Sequence, residues 1–249
     1  MKLIRPVILI GFIILSNAAT KAQTPNNFTG WYGFDNYHPF YKGGHWGISL
    51  EGYIQRDNLI TDPMALFFRG GVGYTLKNGG RIAGGYCIQY NYPYDEASLP
   101  YSWADHHIWE NYQKKWVYHN KSSLINRFRL EQRWLERKTF SETDTTTSYD
   151  FENTFSYLFR YNHPFGEKIF GILFDEVFLR IPPKSAERIL DQNRLFAGVG
   201  IYFSKTKLWR VETGYMFQSF WKSAEDLNER QRINHTFRLT LVFEAKMKK

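Results

Sequence analysis

The side chains best suited to electrostatic chemistry fall at alternating positions along this chain. Glu51, Arg69, Arg81, Arg127, Arg129, Glu131, Arg133, Glu152, Arg160, Arg194, Arg210, Glu212 and Arg238 occupy the polar parity of segments whose other parity is apolar. Nine arginines against four glutamates would make the space they face cationic. Arginine forks can bridge carboxylates and backbone groups across strands and so fill a narrow interior. Their surplus can instead favour an acidic ligand or a passing anion. Within this set Arg127, Arg129, Glu131, Arg133, Arg194, Arg210, Glu212 and Arg238 are the candidate binding residues, read as a charge network facing a lumen.

Other chemistry finds weaker support. Asp105, His106, His107 and Glu110 gather potential metal ligands, but on a strand His106 and His107 point to opposite faces, so no metal is expected. Gly47-Ile48-Ser49-Leu50-Glu51 fails the nucleophile-elbow pattern at its last position, and no Ser and His stand together as a barrel-embedded lipase or deacylase would need. No catalytic residue and no cofactor is therefore assigned. With Cys87 alone no internal disulfide can form, and its place after Gly85 suits a small lumen filler.

The elements that would position these charges are strands. From Asp191 to Phe220, Leu195, Ala197, Val199, Ile201 and Phe203 form one apolar row, and Trp209, Val211, Thr213, Tyr215 and Phe217 form another after a polar turn at Ser204 to Lys207. Similar alternation marks candidate strands at His45–Arg56, Ala65–Leu76, Arg81–Asn91, His107–Tyr118, Ser123–Leu135, Phe151–Tyr161, Lys168–Ile181, Gln192–Phe203, Leu208–Ser219 and Ile233–Phe243. Links alternate between short (Lys77–Gly80, His119–Ser122, His163–Glu167, Ser204–Lys207) and long (Tyr92–His106, Lys138–Asp150, Pro182–Asp191, Phe220–Arg232). That asymmetry predicts an all-β, antiparallel up-and-down transmembrane barrel of about ten strands, or twelve, with short periplasmic turns and long extracellular loops. Ten strands from His45 would leave both barrel ends in the periplasm. Trp31–Tyr37 is then an eleventh candidate, as a periplasmic or lumen-inserted segment or as part of a twelve-strand barrel.

A soluble periplasmic β protein shows the same period when its apolar face points inward. Aromatic content of 18%, with rings near strand ends such as Trp46, Trp209, Tyr202, Tyr90, Trp134 and Phe217, favours the membrane, because a ten-strand interior has little room for so many rings. Mean hydropathy of -0.48 does not oppose this, since alternation dilutes apolar residues below any window threshold. The Thr143–Ser148 tract reads as an exposed loop, and Asp144-Thr145-Thr146 is similar to a bacterial O-glycosylation site.

Met1 to Ala22 combine a basic start, an apolar run from Val7 to Leu15 and a small-residue end, which reads as a cleaved signal peptide. The expected organisation is thus a signal at 1–22, an N-terminal segment at 23–44, the barrel at 45–243 and a basic tail at 244–249. Removing Lys2, Arg5 and Lys21 takes 32 basic residues to 29 against 24 acidic, a charge of about +5. No run of five like charges occurs, so nucleic acid is not an expected partner. The expected surroundings are outer-membrane lipid, lipopolysaccharide and the barrel-assembly machinery.

Arg127-Phe128-Arg129-Leu130-Glu131-Gln132-Arg133, Asp191 to Gly200 (DQNRLFAGVG), Glu212 to Gln218 (ETGYMFQ) and Asn234 to Leu239 (NHTFRL) together resemble a domain-of-unknown-function family of predicted outer-membrane barrels in Gram-negative bacteria. The resemblance spans nearly all of the expected mature chain. It implies fold and location and brings no activity with it. One departure is the chain's end: Phe243 is followed by Glu244-Ala245-Lys246-Met247-Lys248-Lys249 where such barrels often finish on an aromatic.

Overall fold

The computed structural model describes residues 26–40, 44–94, 99–141, 144–181, 189–204, 206–221 and 231–245. The expected signal peptide and residues 246–249 of the tail lie outside them. Every element described is a strand: β1 (Asn26–Pro39), β2 (Trp46–Asp57), β3 (Asp62–Thr75), β4 (Gly80–Asn91), β5 (Trp103–Val117), β6 (Ser123–Phe140), β7 (Thr145–Pro164), β8 (Ile169–Arg180), β9 (Leu190–Tyr202), β10 (Trp209–Trp221) and β11 (Gln231–Glu244). They form one closed barrel in chain order, β1 returning to β11. Closure leaves no unpaired sheet edge.

Eleven strands lie between the ten and twelve expected, and the odd count has a topological result. Sequential neighbours pair antiparallel, but β1 and β11 pair parallel, from Asn26↔Ile233 to Tyr37↔Glu244. Trp31–Tyr37 is therefore wall, and the barrel begins at Asn26 rather than at His45. Asn26 and Glu244 consequently lie at opposite ends of the barrel, not at the same end. Buried hydroxyl and amide groups line this seam: Thr29 meets Thr236 at 2.7 Å, and the Thr236 hydroxyl donates to Gln218 at 2.8 Å.

Turns at 76–79, 118–122, 165–168 and 203–208 share the end at which Glu244 sits. Links at the opposite end are less uniform than expected. Only four residues, 58–61, join β2 to β3, and most of the predicted loop Lys138–Asp150 is strand, with Thr139 opposite Thr146. Thr145 to Ser148 thus extend β7 and are exposed, while Thr143 lies outside the described residues. β-branched threonines on a pleated, two-stranded ribbon satisfy the backbone that a loop would leave to water.

The alternation sets which side faces out. Phe68, Ile82, Ile108, Phe151, Leu173 and Tyr215 are exposed on the outer wall, and Arg69, Arg129, Glu131 and Glu212 are buried inside. The interior also holds many rings, contrary to expectation. Trp31, Tyr53, Phe170, Phe174 and Phe196 form a buried cluster with Leu158, Ile172 and Met216, against which Phe67 and Tyr202 pack. Tyr202, expected among outward aromatics, points inward, its ring 5.1 Å from that of Phe170. Trp109 is buried beside Cys87 and Ala83. Gly71 makes that possible, because a Cβ there would stand 2.5 Å from the indole Cζ2.

Candidate functional site in the lumen

One oblique row of cross-strand partners organises the charges. Asp35, Glu51, Arg69, Cys87, His107, Arg133 and Glu152 are successive neighbours from β1 to β7, all with the inward parity. Direct partners on adjacent strands place side chains within reach of each other. Accordingly Arg69 donates to Glu51 at 2.9 Å and Arg133 to Glu152 at 2.8 Å.

Glu131 joins contacts that the ladder alone would not bring together. Arg69, three strands distant, donates to it at 2.5 Å; His107 approaches at 3.4 Å and Arg129 at 3.6 Å. Arg127 donates to Glu176 on β8 at 2.8 Å, and the Ser156 hydroxyl donates to the same carboxylate at 3.2 Å. Towards the long-link end, Arg180 pairs with Asp191, which lies 3.9 Å from Arg133. These groups surround a central cavity of about 100 Å³ whose charged lining is Arg69, Arg127, Arg129, Arg133 and Arg194 with Glu51, Glu131, Glu176 and Asp191.

A second network lies nearer the short turns. Arg160 grips Glu212 with two bonds of 3.1 and 2.7 Å, and Arg210 donates to Glu212 at 2.8 Å and to Glu244 at 3.0 Å. Arg160 and Arg210 face a vestibule of about 350 Å³. Arg127 borders both spaces, so its pairing with Glu176 stands between the vestibule and the central cavity. Arg238 donates to the Tyr53 hydroxyl at 2.6 Å and lies over the Phe196 ring at 5.4 Å. Arg194 sits between the rings of Trp31, at 5.1 Å, and Phe178, at 4.5 Å.

All eight residues singled out from sequence are thus inward, but in two clusters. Arg127, Arg129, Glu131, Arg133 and Arg194 line the central cavity, Arg210 and Glu212 belong to the lower network, and Arg238 packs on the rings between. The excess of nine arginines over four glutamates is largely cancelled by inward acids that the charged row left out: Asp35, Glu176, Asp191 and Glu244, and Asp105, which the sequence offered only as a potential metal ligand. Arg180 was missed too. β8 hid its pair because Ile169-Phe170-Gly171-Ile172-Leu173-Phe174 is apolar on both faces. Asp35 and Glu244 lie on the one parallel pair, which no hairpin signal marks. Of the histidine cluster, His107 is buried inside, while His106 faces out and hydrogen-bonds the Tyr86 hydroxyl. Among the described residues no group of three or more His, Cys, Asp or Glu is arranged to hold a metal.

A family model described as Protein of unknown function (DUF2490) matches residues 28–229. No curated protein and no solved structure matches the chain.

Proposed function

We propose that this chain, which belongs to the DUF2490 family of proteins of unknown function, is an integral outer-membrane barrel with a plugged lumen and a structural or ligand-docking role. The observation that carries the membrane reading is the inversion of the wall. Large apolar side chains face outward around the closed barrel while its arginines and acids face in. A water-soluble barrel would be arranged the other way, and an arginine facing mid-bilayer lipid costs about 2–4 kcal/mol. Rings cluster at the short-turn rim, where Trp209 packs on Phe243 at 4.6 Å and Trp46 on Tyr74 at 5.1 Å. Outward carboxylates are paired: Gln132 donates to Glu110 at 3.1 Å and Asn193 to Asp175 at 2.5 Å.

In this reading the short turns face the periplasm, lipid and lipopolysaccharide surround the wall, and assembly machinery inserts it. In this reading the ion pairs and stacked rings that cross the lumen close it to most solutes. Planar-bilayer conductance of the refolded chain tests the plug. Silence is expected, with lowered thermal stability on neutralising Arg129 and Arg133; steady anion-selective channels lost in the same variants would establish the anion-passage reading instead. Recovery in the outer-membrane fraction with heat-modifiable migration tests location, and release as a soluble protein on osmotic shock would overturn it. No reaction is assigned. An altered acyl profile in a deletion strain, restored only by the intact protein, would mark a lipid-modifying enzyme.

A further inference from the structure

We propose that the central cavity holds one small monovalent inorganic anion, of the size of chloride, between Arg129 and Arg194. Both guanidinium groups are counted in a charged lining that has one more arginine than it has acids, five against four. The acids are already committed. Glu51 and Glu131 engage Arg69 at 2.9 and 2.5 Å, Glu176 engages Arg127 at 2.8 Å, and Asp191 pairs with Arg180. Of the acids just outside the lining, Glu152 is held by Arg133 at 2.8 Å and Arg180 at 3.8 Å, and Asp105 accepts from Asn91 at 2.9 Å and Trp103 at 3.2 Å.

Arg129 is left with a carboxylate 3.6 Å away that it shares with Arg69 and His107. Arg194 has no carboxylate oxygen within 4 Å among the described residues: Glu176, its cross-strand neighbour, is bonded by Arg127, and Arg194 donates to Gln192 at 3.1 Å and lies against the faces of two rings. Buried donors remain over. Nε of Arg129, Nε of Arg194 and Nε2 of Gln192 are buried without a protein acceptor. Charge enclosed in a low-dielectric interior and only partly compensated is unfavourable, and rings cannot neutralise it. A single anion removes the excess charge and accepts from these N–H groups at once. About 100 Å³ accommodates such an ion with a little water, and it leaves little space for a bulky organic anion.

The inference rests on the plugged reading, because a plugged lumen retains its ion whereas an open bore would only pass it. The test follows thermal unfolding of the refolded full-length chain, by tryptophan fluorescence, in sodium gluconate, chloride or bromide at one ionic strength. Chloride and bromide are expected to raise the midpoint saturably by at least about 3 °C over gluconate. In Arg129→Met that dependence is expected to vanish, the variant unfolding at one midpoint in all three salts. Arg194→Met should also lose the halide response, and serves if Arg129→Met does not fold. Equal midpoints in all three salts, or a halide response unchanged in both variants, would overturn the proposal. Conductance separates the two readings. A conducting barrel that keeps an Arg129-dependent halide response refutes the plug and leaves the site; a silent barrel without the response refutes the site and leaves the plug.

Discussion

Glu131 gathers three buried basic side chains on one carboxylate. It accepts from Arg69 and faces Arg129 and His107, all buried, so Glu131→Gln leaves guanidinium groups in a low-dielectric interior with one carboxylate fewer. Removing one partner of a buried pair costs about 3–5 kcal/mol. Denaturant unfolding of the refolded variant should show a loss of that order. Glu110 provides the contrast, since it faces outward and, among the described residues, is held by Gln132. If the outer wall is lipid-facing, Glu110→Leu should leave stability in bilayers unchanged or raise it. A loss above about 1 kcal/mol would count against lipid contact there.

At the scale of strands, Gly71 and Trp109 act as a pair on β3 and β5. A valine at Gly71 would drive a side chain into the indole and into the Gly84 carbonyl, which stands 2.5 Å from the Cβ position. Gly71→Val is expected to lower the yield of folded barrel severely, and adding Trp109→Ala should recover only part of it because the backbone contact remains. The β6–β7 ribbon behaves oppositely. The described residues of its tip, 139–141 and 144–146, are exposed and find their strand partners within the hairpin, Phe140 also lying against Tyr101, so excising the tip and closing the hairpin with a short turn should change stability by about 1 kcal/mol or less. Most strands were legible because one parity was plainly apolar, as in Leu66, Phe68, Val72 and Tyr74. β8 was harder, since rings on its inner face pack against Phe196 just as its outer residues face out. Glu176, a ligand of Arg127, was lost with that register.

For the whole molecule, an odd number of strands separates the ends of the wall. If the barrel spans a membrane as proposed, a protease-cleavable epitope inserted before Asn26 and another after Ala245 should be accessible from opposite sides of it, with the former at the long-link side. Access to both from one side would refute the parallel closure of β1 on β11. The amino-acid sequence by itself determined the class: a period of two in apolar residues, placed between turn-forming segments, can bury its polar parity only inside a barrel if the other parity faces out. It also determined that Arg127, Arg129, Glu131 and Arg133 share a face, because parity along one strand is local. Closure decided the rest. Whether Trp31 to Tyr37 joins the wall depends on β11, which lies some two hundred residues away, and period alone does not encode a partner. Which arginine meets which acid depends on the stagger of strands around the barrel, so Arg69 reaches Glu131 and Arg160 reaches Glu212 across sequence separations of 62 and 52. The charge left over in the central cavity is likewise a property of that three-dimensional pairing, since no count along the chain tells which acids are already engaged.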